Sequence, residues 1–174
     1  VIFFKNNLEF TNFTNILISY DIMIKVICMK ILIDADGCPV VDIAVKIAKS
    51  YDLEVIIVKN FSHELWDDYA TIITVDQSPD SADFYIVNHA AKGDIVITQD
   101  YGLAAMALAK DALCINQNGL IISSENINQL LARRHINREI RRKHNKYTKF
   151  KKREVEQDKK FEKSLIYLIE KLAH

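Results

Sequence analysis

Three cysteines, Cys28, Cys38 and Cys114, are an odd number at no metal-ligand spacing, and so give no disulfide framework and no zinc cluster. A reducing, cytoplasmic setting is the expectation. The chain also lacks an internal repeat, a low-complexity linker and a clean apolar run of the ~20 residues that a membrane span requires. Even the apolar patches of the first 28 residues are broken by Asn6, Asn7, Glu9, Asn12, Asn15 and Asp21. That segment has no basic start, clean apolar stretch and small-residue cleavage site either, so neither a span nor a signal peptide is expected.

Net charge is missing too, with 23 Lys and Arg against 23 Asp and Glu, but the balance is uneven along the chain. From Val1 to Ala132 there are 8 basic against 17 acidic residues, and from Arg133 to Lys160 there are 13 against 4. An acidic body thus carries a basic segment, interleaved with His135, His144, Tyr147 and Phe150. Val1 is not a methionine, whereas Met29 directly precedes the first apolar strand. Residues 1–28 are therefore expected to be a non-native or disordered extension, and residues 29–174 one folded domain.

Within that domain, Val- and Ile-rich runs alternate with amphipathic stretches. Strands are expected at Lys30–Asp34, Glu54–Lys59, Ala70–Val75, Asp94–Thr98, Ala112–Ile115 and Leu120–Ile122, and helices at Pro39–Ser50, Ser81–Ala91 and Gly102–Lys110. Two further helices are read at Ser124–Arg134 and Glu154–Leu172, the latter with Phe161, Leu165, Leu168 and Leu172 on one face. Pro39 suits the first helical position with Cys38 as cap, and Asn116 to Gly119 reads as a turn. Such alternation predicts an α/β fold with a mostly parallel sheet covered on both faces.

In an open parallel sheet the ligand edge lies beyond the carboxyl ends of the strands. Asp34 and Asp36 follow the first strand, Asp100 follows the Asp94–Thr98 strand, and Asp83 opens the helix before it, with Asp80 close by. Crowded carboxylates repel unless a proton or cation intervenes, and hard oxygen ligands suit Mg²⁺ or Mn²⁺. Two such ions can position water for phosphodiester cleavage. Against this, aspartates also cap helices and shape turns, as Asp80 or Ser81 would at the helix near Asp83.

These motifs, Asp34-Ala-Asp-Gly-Cys-Pro-Val40, Asp80-Ser-Ala-Asp83, Gly93-Asp-Ile-Val-Ile-Thr-Gln-Asp100 with Leu103-Ala104, and Asn116-x-x-Gly119, resemble the bacterial YaiI/YqxD family of PIN-like proteins. The resemblance runs from Met29 to the C-terminus. It implies a PIN-like three-layer fold with an acidic divalent-metal site acting on nucleic acid, RNA ahead of DNA. Carried over by position, Asp34, Asp83 and Asp100 match the PIN aspartates, and Thr98 the threonine that supports them. PIN nucleases also carry an acidic residue on an earlier helix. Asp36 is the candidate for that role here, with Glu64, Asp67 and Asp68 behind it.

The resulting expectation is Asp34, Asp36, Asp83 and Asp100 as catalytic metal ligands, with Cys38, Thr98 and Asn116 in support. The basic segment, through Arg133, Arg134, Arg138, Arg141, Arg142 and Lys143 and on to Arg153, would guide the nucleic acid. Two rivals remain. A non-catalytic RNA-binding adaptor needs only the basic face, whereas an enzyme needs its carboxylates converged at metal-bridging distance. An aspartyl-phosphate phosphatase would use Asp34 as nucleophile and Asp36 as acid/base, but Gly93-Asp94 precedes a strand where that chemistry needs it to follow one. Cys38 has no phosphate-loop arginine and reads as a packed thiol. His63 is a lone histidine, and His89, at helical spacing from Tyr85, reads as a helix-surface residue.

Overall fold

The computed structural model describes residues 29–60, 66–76, 78, 80–144 and 152–172. The expected extension 1–28, Glu64, His63, Tyr147 and Phe150 lie outside the described residues. Six strands, β1 (Lys30–Asp34), β2 (Glu54–Asn60), β3 (Thr71–Val75), β4 (Ile95–Ile97), β5 (Leu113–Ile115) and β6 (Ile121–Ile122), form one sheet in the order β3-β2-β1-β4-β5-β6. All neighbours pair in parallel except β5 and β6. Five helices are found among the described residues, α1 (Val41–Ser50), α2 (Ser81–His89), α3 (Tyr101–Leu108), α4 (Ile127–His144) and α5 (Val155–Leu172).

Strand alternation divides the core into two layers. Ile31, Ile33, Val55, Ile57, Ile95 and Ile97 pack with α1 and α5, while Leu32, Ile56, Val58 and Val96 pack with α2 and α3. The central strands β1, β2 and β4 bury both their faces, which is why their apolar runs are continuous rather than alternating. This is the three-layer α/β arrangement expected. The buried side of α5 consists of Phe161, Leu165, Leu168 and Ile169, with Leu172 partly covered. Removing a side chain such as Phe161 from water is worth about 1.5–3 kcal/mol.

The chain departs from expectation at three element ends. Pro39 and Val40 form a turn and α1 begins at Val41, so Cys38 caps nothing. The first backbone bond into the helix runs from Ala44 N to Val40 O. Asp80 does precede α2, but at φ +66° and without a side-chain cap bond, and Ser81 is already inside the helix. The third departure is α4, which runs ten residues past Arg134 to His144. Charge alone does not break a helix, and residues 133–144 contain neither Gly nor Pro and are rich in Arg, a good helix former. From Ala132 onward the described side chains of α4 are exposed, so half the helix stands clear of the body.

Strand order reverses between β1 and β4, and there the loops after each leave a crevice. Gln99 Nε2 donates to Gly37 O at 2.8 Å and ties those two loops together. At the opposite end of the sheet, Asp94 is buried and ion-paired with Lys30 Nζ at 2.9 Å. Asp94 therefore serves the β1–β4 junction rather than the crevice.

Candidate active site

Asp34 is the last residue of β1, and its Oδ2 accepts the Thr98 hydroxyl at 2.8 Å. Thr98 follows β4, the neighbour of β1, and its Oγ1 also accepts from Asp100 N at 2.9 Å. One buried hydroxyl thus fixes a side chain from β1 and the backbone that leads into α3. Asp100 caps α3, with Oδ1 accepting from Gly102 N at 2.6 Å and from Leu103 N at 3.4 Å. Its other oxygen, Oδ2, meets Arg134 Nη1 of α4 at 2.9 Å. Asp83 enters from the first turn of α2.

Asp34, Asp36, Asp80, Asp83 and Asp100 line one cleft of about 890 Å³, with Arg133, Arg134 and Arg141 along it. The cleft thus joins the carboxyl edge of the sheet to the exposed half of α4. Asp76, Tyr101 and Asn137 also line it and went unread in the sequence. For Asp76 a signal existed, since it follows β3 as Asp34 ends β1.

Electrostatics distinguish the carboxylates. Burial and the facing charges of Asp34, Asp100 and Asp80 push Asp83 up to about 6, against a pull downward from Arg134. Burial also lifts Asp34 above the ordinary carboxylate value. The Thr98 hydrogen bond opposes this, and Asp36 and Asp100 add to the rise. For Asp100, burial acts upward but is outweighed by Arg134 and by the Gly102 and Leu103 N–H groups, so it lies below its ordinary value. Burial first, and the like charges gathered in one cleft after it, raise the first two.

Other expected residues take different places. Asp36 accepts from the side-chain amide of Asn60 and from Asn60 N at 3.3 Å, so both its oxygens are engaged at the end of β2. Asn60 was missed in the sequence, but the register Asp34 to Val58 puts it beside Asp36. Asn116 does not itself line the cleft. Its Oδ1 accepts from Asn118 N at 2.9 Å and Leu120 N at 3.0 Å and shapes the β5–β6 turn. Cys38 is half-buried against the core, and burial pushes its thiol up, as expected for a packed cysteine. Asp67 accepts from Tyr69 N and Ala70 N in a turn, Asp68 is exposed, and neither lines the cleft. Arg138, Arg142 and Lys143 are exposed on α4 but outside the cleft lining. Arg153 lies outside that lining as well, and binds Gln117 O at 2.6 Å and Asp158 at 2.5 Å.

The donors' chemistry suits a hard divalent cation, but their disposition does not form a cage for one. Asp36 is spent on Asn60, and Asp100 on its helix cap and Arg134. Among the described residues no three His, Cys, Asp or Glu side chains are arranged to hold a metal ion. No helix among them is long and apolar enough to cross a membrane.

Comparison with known proteins agrees with the motif reading. Curated relatives called UPF0178 protein are 62% identical over 142 residues in Alkaliphilus oremlandii, covering 82% of this chain and 92% of that one. In Natranaerobius thermophilus the figures are 50% identity, 81% and 96%, and in Ruminiclostridium cellulolyticum 51%, 81% and 92%. No solved structure gives a significant match. The family profile described as "Uncharacterized BCR, YaiI/YqxD family" matches residues 32–171, and the chain belongs to that family.

Proposed function

We propose that the cleft binds a nucleic acid, RNA ahead of DNA, and hydrolyses its phosphodiester backbone with Mg²⁺ or Mn²⁺ as cofactor. The observation that supports this is the composition of the cleft: Asp34, Asp83 and Asp100, from three separate chain segments, lie in it with Arg133, Arg134 and Arg141. The arginines supply phosphate affinity. Asp83, with a pKa near the working range, is suited to exchange a proton with water. No step is assigned to the cation, because Asp36 and Asp100 are otherwise engaged.

That engagement favours a second reading. With Arg134 already neutralising Asp100, the same cleft serves a non-catalytic RNA-binding protein. One assay separates the two. Mn²⁺-dependent cleavage of single-stranded and structured RNA is measured for the unaltered chain, Asp34→Asn and Asp100→Asn. Cleavage lost in both variants supports the hydrolase, whereas equal trace activity in all three removes it and leaves the binding protein.

A further inference from the structure

Beside the main cleft runs a second, shallower groove of about 400 Å³, which shares Val75, Asp76 and Ser81 with it. The far side of the groove is aromatic. Phe84 is 62% exposed, and Tyr85 stacks on His89 with ring centroids 3.9 Å apart and planes inclined by 15°. His89 Nδ1 lies 2.8 Å from Tyr85 O, a carbonyl that can only accept, so Nδ1 carries the proton and Nε2 of the neutral ring remains an acceptor. Asn88 adds an amide, with both a donor and an acceptor, to the same wall.

A lone exposed phenylalanine is ordinary on a protein surface. Phe84 is distinguished by its position. It is the residue after Asp83, and successive helical side chains diverge by about 100°. Asp83 therefore lines the acidic cleft while Phe84 lines the neighbouring groove. Charge separates the two spaces further. The main cleft has Arg133, Arg134 and Arg141, whereas the groove has no Lys or Arg among the described residues and has Asp76 on its shared rim. Cationic partners for a phosphate thus stand along the α4 side of the main cleft and not in the groove, and the part of a nucleotide suited to the groove is its flat, uncharged base.

We infer that this groove is a base-stacking subsite. It takes an unpaired base of the strand whose phosphates lie along the arginines of α4, with Phe84 as the stacking platform and Asn88 and His89 offering hydrogen-bond partners to the base edge. This rests on the nucleic-acid reading of the cleft and narrows it. Bases in a duplex are stacked on their own neighbours, so the substrate has at least one unpaired nucleotide next to the phosphodiester held in the cleft.

The test is fluorescence anisotropy with a labelled single-stranded RNA and with the same strand paired to its complement. It uses the full chain, in EDTA and again with Ca²⁺. Phe84→Ala is expected to weaken single-strand binding about ten-fold, the scale of one base–aromatic stack, and to leave duplex binding unchanged. Because Phe84 carries no charge, the salt dependence of single-strand binding should not change, and Phe84→Tyr should restore the affinity. If Phe84→Ala binds as the unaltered chain does while Arg141→Ala weakens binding, the stacking subsite is overturned and the nucleic-acid reading stands. If the unaltered chain binds neither RNA at low salt, both fall, and the aromatic patch then belongs to a protein partner.

Discussion

Arg134 reaches from α4 to within 2.9 Å of Asp100, the carboxylate that caps α3. The pair bridges the body of the protein and the helix that stands away from it. Both side chains are well exposed, at 49% and 37%, so the pair contributes only about 0–1 kcal/mol to folding. Its importance lies in charge, because it sets a guanidinium of α4 directly against one of the carboxylates of the cleft.

Arg134→Ala should therefore leave thermal stability nearly unchanged while altering binding. Removing one phosphate-contacting cation lowers the slope of log affinity against log salt by about one. Titrating a single-stranded RNA at several salt concentrations measures that slope. A slope equal to that of the unaltered chain would mean that Arg134 serves only to hold Asp100.

Asp83 gives the cleft a pH signature. Its folded pKa is raised to about 6 from an ordinary value of 3.8, so the folded state holds this proton more tightly than the unfolded state. Between those two values the unfolded chain loses its proton first, and stability falls as pH rises until both states are ionised. Asp34 is shifted in the same direction. Asp83→Asn should then raise the melting temperature at pH 7.5, and the gain should fade towards pH 4. A variant less stable than the unaltered chain at pH 7.5 would show that Asp83 has a structural partner instead.

The parts of this molecule that were legible in the sequence are those fixed by local periodicity. Ile31, Leu32 and Ile33 are apolar without a break because a parallel strand is buried on both faces, and the same run locates Asp34 at its end. Asp100 was readable as the residue that leads from a strand into a helix. Contacts set by register or by long side chains were not readable. The Asp36–Asn60 bond depends on the pairing of β1 with β2, and the Arg134–Asp100 pair joins residues 34 positions apart. The exposed end of α4 was missed because a helix with no buried face carries no apolar period. Phe84 misleads in the opposite sense, as an apolar residue in a helix that faces solvent.

Thr98 tests how tightly β1 and β4 are coupled at the cleft. Its side chain is buried, donates to Asp34 and accepts from Asp100 N. Thr98→Val keeps the shape and removes both bonds. A hydrogen bond to a charged group is worth about 1.5–3 kcal/mol, so a loss of that order is expected in urea unfolding at pH 7.5. The hydroxyl favours ionised Asp34, so its loss lifts the Asp34 pKa further, and the destabilisation should shrink at acid pH where Asp34 is protonated. Thr98→Ser should recover most of the difference.

Gly119 shows how the turn after β5 is locked to α5. It has φ +74°, and a Cβ added there would lie 2.7 Å from Lys160 O, 2.9 Å from Lys160 C and 3.0 Å from Phe161 N, all of them α5 backbone. No flexible side chain can move aside, so either the turn or the helix must shift. Gly93 has a similar φ of +86° but nothing within 4 Å of a Cβ, so Gly93→Ala carries only the left-handed strain of about 1–2 kcal/mol. Gly119→Ala should cost clearly more, because displacing α5 disturbs the packing of Phe161 and Leu165. Equal losses for the two variants in urea unfolding would mean that the turn yields freely.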